Sequence, residues 1–312
     1  MAKVITESQV RQILHDDYAV LDAVKNIFLE YIDGDAQMVS KVYLDISKGN
    51  DYRAMPAFNK KYACVKWIAD YTSNVSNDFP TTQAIIILND KSNGHPLAII
   101  EANEITKLRT AAATALATRE LVEDEKINKI SFVGCGTQTL PHIRFLLKVL
   151  NEVEEISVYD VSPDQAKSIA KALPKTVVAS SLNECVADSR VVTTLTPSTK
   201  PYLFRSMLPK ICHVNAVGAD AVGKRELGDD MFSSISTVVC DDYSQAKHSG
   251  EMQHFKPDSI FYRQLGYLLK MGEKNADGLT VYDSTGLAIE DLALAQYVFE
   301  KSVNFLDETK TI

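Results

Sequence analysis

The chain is poor in the residues that usually announce a specialised chemistry. It has one tryptophan, five cysteines, six histidines and thirteen glycines in 312 residues. The cysteines (Cys64, Cys135, Cys185, Cys212, Cys240) are odd in number and never in CxxC spacing. Four lie in or beside β-like apolar runs, which predicts buried, reduced thiols. The histidines show no metal-ligand spacing: His248 and His254 stand six apart, and His142 follows Pro141 at a helix start. No metal site is therefore expected. GxSxG, HExxH and P-loop patterns are missing too. No apolar run approaches the ~20 residues of a membrane span. No basic run is long, and 33 Lys and Arg against 41 Asp and Glu leave a net charge of -8, which argues against nucleic-acid and membrane-surface partners. The opening Met-Ala-Lys-Val-Ile-Thr-Glu-Ser lacks an apolar signal region, so a cytoplasmic protein is expected.

What is present is apolar content, 46%, over a length sufficient for two cores. Val20, Val24, Ile27, Phe28 and Tyr31 recur at helical spacing, so residues 7–33 read as one helix or a pair. Period-two segments follow at 41–46, 51–54, 62–68, 83–88 and 97–102, with Asn93-Gly94 as a hairpin signal. They predict an antiparallel sheet. An Ala-rich helix over 105–122 then joins two domains. From Lys129 strands alternate with helices, at 129–133, 155–159, 176–179, 190–195, 212–217, 237–240 and 279–282, before a helix at 287–303. Several of these strands are continuous apolar runs, as parallel strands buried on both faces should be. The expected fold class is α/β: a Rossmann-type doubly wound domain (121–294) plus an N-terminal α+β domain (1–120) with an antiparallel sheet. The C-terminal helix, 295–312, is expected to return to the first domain. Pairing with a second subunit would cover exposed sheet edges.

The segment Val133-Gly134-Cys135-Gly136-Thr137-Gln138-Thr139 joins the 129–133 strand to a helical pattern (Ile143, Leu146, Leu147, Leu150), and Asp160 closes the next strand. Strand, Gly-rich turn, helix, strand and acid is the dinucleotide fingerprint. Gly134 permits the tight turn, Gly136 lets the backbone approach a pyrophosphate, and the helix N-terminus attracts that anion. Asp160 would accept a ribose 2′-hydroxyl and repel a 2′-phosphate, which selects NAD over NADP. The third glycine position holds Thr139, whose branched side chain is expected to push the helix slightly off the sheet.

Lys66 lies in Tyr62-Ala63-Cys64-Val65-Lys66-Trp67-Ile68, a strand apolar on both faces. It either snorkels to water from an edge or is desolvated, and desolvation lowers a lysine's pKa toward the range of proton transfer. Lys41, Arg53 and Arg109 can join it in a carboxylate site or stay on the surface. Asp220, just past a parallel strand, can hold an ammonium or water, or cap a helix. Ser284, Thr285 and Gly286 occupy the matching place after the last strand, touching a cofactor or capping a helix.

Taken together, RAMPAF (53–58), KLRTAAATALAT (107–118), VGCGTQ (133–138), HVNAVGAD with GKREL (213–227) and YDSTGLAIEDLALA (282–295) resemble the ornithine cyclodeaminase/mu-crystallin family over nearly the whole chain. AQMVSKVYLDISKG (36–49) and DDYSQAKHSGE (241–251) are most similar to its archaeal-type alanine dehydrogenases. The resemblance implies a homodimer built through the N-terminal sheets and makes Lys66 the proton-transfer residue and Asp220 the catalytic aspartate. It also implies that Lys41, Arg53 and Arg109 hold a substrate carboxylate. Thr137, Gln138, Asp160, Thr196, Asn215, Val217 and Ser284, with Arg109, would contact NAD. The substrate implied is a small 2-amino or 2-oxo acid. Cyclodeaminases resemble one another in placing a glutamate near the position of Arg53, and a second ammonium ~4 Å from an arginine would be repelled by about 1 kcal/mol even in water. That favours alanine over ornithine. An acid at 220 favours catalysis over a mu-crystallin-like ligand carrier. An imine reductase acting on pyrroline-2-carboxylate or another ketimine, or an opine-type dehydrogenase, stands as the alternative.

Overall fold

The computed structural model describes residues 2–76, 79–122, 126–255, 262–272 and 278–308. Two compact units emerge, Met1–Thr110 with Leu287–Ile312, and Ala111–Gly286. The divisions fall at 110 and 286 rather than at 120 and 294. The first falls inside one helix, whose early turns carry Arg109 and whose later turns place Thr114 and Thr118 among second-unit side chains. Residues 309–312 of the predicted C-terminal helix lie outside the described residues.

The first unit opens with β1 (Lys3–Ile5), α1 (Glu7–Ile13) and α2 (Asp17–Ile32), so the 7–33 pattern is a pair of helices. Thr6 and Gln9 cap α1 reciprocally, and the Asp16 carboxylate accepts the Tyr18 and Ala19 amides at the start of α2. Then come β2 (Gln37–Met38), β3 (Val42–Ser47), β4 (Asn50–Phe58), β5 (Tyr62–Tyr71), β6 (Thr82–Asp90) and β7 (Pro96–Glu101). The order is β1-β7-β6-β5-β4-β2, with β3 also on β4. The sheet is antiparallel except at β1, which pairs parallel with β7 and was not legible as a strand in three residues. Period-two patterning sorts the side chains. Arg53, Met55, Ala57, Cys64, Lys66, Ile68, Ala84, Ile86, Leu88, Ala98 and Ile100 are buried on one face. Trp67, Ile85, Ile87 and Ile99 remain exposed on the other, with Val42 and Leu44.

The helix α3 (Asn103–Leu121) leads to β8 (Ile127–Val133), α4 (Thr139–Val149), β9 (Val153–Tyr159), α5 (Pro163–Ala172), β10 (Thr176–Val178), α6 (Leu182–Val186), β11 (Val191–Thr194) and β12 (Cys212–Ala216). After α7 (Asp229–Phe232) follow β13 (Ile235–Cys240), α8 (Tyr243–Ser249), β14 (Tyr262–Gln264), α9 (Leu265–Met271) and β15 (Leu279–Asp283). Among the described residues the eight second-unit strands run parallel in the order β10-β9-β8-β11-β12-β15-β13-β14. β14 is an addition to the strands read from the sequence. Order reverses between β8 and β11, the switch point where open α/β sheets bind ligands. The last helix, α10 (Ala288–Glu308), belongs to the first unit and lies against α2, β4, β5 and β6. All five cysteines are free and buried.

Candidate active site

In the first unit, period two turns Lys66 to the buried face of β5, opposite Met55 on β4 and Ile86 on β6, with no exposed surface. A buried ammonium needs a partner. Asp291, in the first turns of α10, supplies it: Lys66 Nζ lies 2.8 Å from Oδ1 and 2.7 Å from Oδ2. The Thr106 hydroxyl on α3 is 3.4 Å away. Arg109 Nε donates to the same Asp291 Oδ1 at 3.1 Å, and its Nη1 donates to Glu290 at 3.0 Å. Glu290 in turn accepts the Leu287 amide at 3.2 Å. Both acids sit at the positive end of a long helix, which favours their charge. Burial pushes Lys66 down from 10.5 to about 8. The neighbouring Asp291 opposes that fall and Arg109 adds to it.

Arg53 shares this face, directly opposite Ile68, but two aspartates of its own sheet hold it. Asp51 accepts Nε at 2.7 Å and Nη2 at 3.1 Å, and Asp70 accepts Nη2 at 2.9 Å. The Tyr43 ring lies 5.4 Å from the guanidinium carbon. Two carboxylates are thus paired with Arg53, which offsets the expected repulsion of a second ammonium. Lys41 is half-buried immediately before β3. Sequence reading missed Glu290 and Asp291. The signal was there: Asp291 interrupts a fully buried stripe of Leu287, Leu294 and Val298 at helical spacing.

In the second unit the turn after β8 has the expected geometry. Gly134 has φ +95°, and a Cβ there would meet the Leu195 carbonyl oxygen at 2.8 Å, so only glycine fits. Gly136 and Thr137 are exposed, and nothing lies within 4 Å of where a Gly136 Cβ would stand. Thr139 does not disturb the turn; it is buried, and its hydroxyl donates to the Gly134 carbonyl at 2.9 Å. Asp160 accepts the Cys135 amide at 2.7 Å and the Ser162 amide at 2.8 Å, so the acid is fixed beside the Gly-rich turn. Gln138 begins α4 without a side-chain cap, and its Oε1 is buried with no partner among the described residues. An exposed glycine turn, an uncapped helix start and an orphaned acceptor fit a dinucleotide.

The other predicted cofactor contacts lie at the ends of neighbouring strands. Glu226, also missed by sequence reading and fully buried, accepts the Thr196 amide at 2.8 Å, the Thr196 hydroxyl at 2.7 Å and the Gly218 amide at 2.9 Å. It ties the loops after β11 and β12 together. Val217 donates its amide to Thr194, and Ser284 donates its amide to Ala216. Asn215 turns its amide into the interior, bonded to Thr118, Thr193 and His213. Burial pushes His213 down to about 3, so this network carries no charge. Asp220 is ion-paired with Lys224 at 2.6 Å. Burial raises Asp283, at the end of β15, to about 8. Among the described residues no His, Cys, Asp and Glu group could hold a metal, and no helix is long and apolar enough to cross a membrane.

Comparison with known proteins gives these sites a context. The sequence model of the ornithine cyclodeaminase/mu-crystallin family matches residues 2–305. The chain is 35% identical to alanine dehydrogenase of Archaeoglobus fulgidus over 311 residues, 96% of this chain and 95% of that protein. An archaeal alanine dehydrogenase, solved as a dimer with bound NAD, superposes with a TM-score of 0.90 at 32% identity, covering 97% of this chain and 96% of that one. Thermococcus litoralis Δ1-pyrroline-2-carboxylate reductase, solved with NADH and L-proline, superposes at 0.91 with 25% identity, covering 97% and 98%.

Proposed function

We propose, since the chain belongs to the ornithine cyclodeaminase/mu-crystallin family, that it is a cytoplasmic NAD-dependent dehydrogenase that deaminates L-alanine reversibly to pyruvate and ammonia. The observation that carries the reading is the wholly buried lysine on β5, ion-paired to Asp291 beside Arg109. A lysine held near 8 is matched to proton transfer around neutral pH. The likeness to an alanine dehydrogenase over 95% of that protein's length supports the choice of substrate.

NAD, when bound, supplies the acceptor for the hydride from the amino acid's α-carbon. Gly134, Gly136, Thr137 and Gln138 would hold its pyrophosphate side, and Asp160 its adenosine ribose, with Thr196, Asn215, Val217 and Ser284 completing the contacts. Arg109, Arg53 and Lys41 grip the substrate carboxylate, the two arginines sharing charge with their present acidic partners. Lys66 moves protons as water adds to the imine and the carbinolamine collapses. Asp220 orients the amine or the water.

The protein is further proposed to act as a homodimer through the outer face of the first sheet. Trp67, Ile85, Ile87, Ile99, Val42 and Leu44 are between 37% and 58% exposed there, a concentration of apolar surface that water disfavours. Tyr52 stacks on Trp67 at 5.0 Å on this face. A cavity of about 480 Å³ lined by Glu7, Tyr52, Trp67, Ile85 and Glu101 opens beside them.

A second reading, a cyclic-imine reductase, is favoured by the likeness to the pyrroline-2-carboxylate enzyme. With Arg53 neutralised, a diamino-acid cyclodeaminase also stays open. A spectrophotometric panel decides: L-alanine, L-ornithine, pyruvate with ammonia, and pyrroline-2-carboxylate, each with NAD(H) and NADP(H). The expected result is the highest kcat/KM for alanine and pyruvate with NAD(H). Faster pyrroline-2-carboxylate reduction would transfer the assignment. NADH binding with no turnover of any substrate would make the chain a ligand carrier.

A further inference from the structure

We propose that Asp291 is the positioning residue of the reactive lysine. Its carboxylate fixes the Lys66 ammonium and the Arg109 guanidinium at one point and decides how readily Lys66 releases its proton. The inference rests on the reading of Lys66 as the proton-transfer group.

The geometry isolates this carboxylate. Both of its oxygens lie within 2.8 Å of Lys66 Nζ, and one also accepts Arg109 Nε at 3.1 Å. Lys66 and Asp291 have no exposed surface, so water screens neither. The groups facing Lys66 come from three elements: Cys64 on its own strand, Thr106 and Arg109 on α3, and Glu290 and Asp291 on α10. Burial pushes the Cys64 thiol up to about 12, so it contributes no charge near neutral pH. Arg109 repels the ammonium, and Glu290 meets Arg109 rather than the lysine. Asp291 is thus the anion in direct contact with Nζ.

Without Asp291, desolvation and Arg109 would act on Lys66 against the Glu290 charge alone, and the ammonium would be lost at lower pH. Its butyl chain would also lose the contact that fixes its tip. A purely structural role would affect stability and leave the lysine's titration where it was.

The test is a direct titration that needs no substrate. Full-length protein carrying ¹³Cε-lysine is titrated by NMR between pH 6 and 11, with the Lys66 resonance assigned by its disappearance in Lys66→Met. The expected midpoint is near 8 in the wild type. It should fall by at least about one pH unit in Asp291→Asn and lie between the two in Asp291→Glu. In parallel, kcat/KM for pyruvate amination, which needs the ammonium, should drop at least about fivefold at pH 8 in Asp291→Asn, while NADH affinity measured by fluorescence changes less than about twofold. If Asp291→Asn does not fold, Asp291→Glu carries the test, since its longer arm moves the carboxylate and must displace the midpoint. An unchanged midpoint in the folded variant overturns the inference. Full activity of Lys66→Met would instead overturn the role given to the lysine, with the titration result unaffected.

Discussion

Replacing Lys66 by methionine should change how stability depends on pH, and the size of the change follows from the burial of its ammonium. An unfolded lysine gives up its proton near 10.5, this one near 8. Each tenfold in proton affinity is worth about 1.4 kcal/mol, so the folded chain holds the Lys66 proton about 3 kcal/mol less firmly than the unfolded chain does. Between pH 8 and 10.5 the unfolded state therefore binds more protons, and this contribution to stability rises with pH through that window. The thiols of Cys64, Cys135 and Cys212, which burial pushes up to about 12, act in the opposite sense above pH 9. They act in both proteins, so the difference between wild type and Lys66→Met isolates the lysine. Asp291 keeps Arg109 as a partner in the variant. Urea unfolding at fixed protomer concentration, followed by fluorescence of Trp67, reports the first unit from the strand that carries Lys66. The wild type should gain about 3 kcal/mol on Lys66→Met between pH 7 and 10.5. An equal gap at both pH values would refute the claim that Lys66 is desolvated in the folded chain.

Three further outcomes test other parts of the molecule. Gly218→Ala would set a Cβ 2.2 Å from the Thr196 carbonyl oxygen and 2.6 Å from the Glu226 carboxyl. It should lower stability by about 2 kcal/mol and weaken NADH binding, read by thermal melting and fluorescence titration. Asp160→Ser should improve kcat/KM with NADP relative to NAD by at least about tenfold; an unchanged ratio would remove Asp160 from cofactor selection. Ile87→Glu, on the exposed apolar face, should yield monomers in sedimentation equilibrium, against the dimer expected of the wild type. A dimeric variant would place the interface elsewhere.

The fold class was legible because both kinds of period were strong. Continuous apolar runs with a glycine turn announced the parallel sheet, and alternation over residues 62–68 and 83–88 announced the other one. β1 and β14 were missed for one reason: three residues are too few to show a period. Lys66 stood out as a charge inside an apolar strand. Its partner did not, because an acid at a helix start reads as an ordinary dipole-complementing residue, and only the apolar stripe on either side of Asp291 marks it as buried. Arg53 was read with the wrong surroundings. Asp51, two residues before it on the same strand, shares its face by local period two, but Asp70 stands opposite Asp51 by strand register, a long-range property that local sequence does not contain. Glu226 was invisible likewise, since its donors come from the end of β11 and from loops, 8 to 32 positions away.

The same charges decide what kind of ligand suits the first unit. Arg53, Lys66 and Arg109 provide three cations, and Asp51, Asp70, Glu290 and Asp291 provide four carboxylates within ion-pair distance of them. The formal sum over these seven groups is -1, and Lys41 beside β3 brings it to zero, so this face carries no net positive charge and is no simple cradle for an anion. A bare carboxylate must compete with acids already in place, whereas a zwitterion brings an ammonium that one of those acids can meet. At about 4 Å and an effective dielectric constant near 20, one such contact is worth up to about 4 kcal/mol before desolvation, and a third of that is tenfold in affinity. The comparison is 2-aminoisobutyrate, which lacks the α-hydrogen and cannot be oxidised, against isobutyrate, which lacks only the amine. As competitive inhibitors of alanine oxidation at pH 7, the amino acid should bind at least about tenfold more tightly. Equal inhibition constants would mean that the carboxylates stand aside when a ligand enters, and that the cations alone read the substrate.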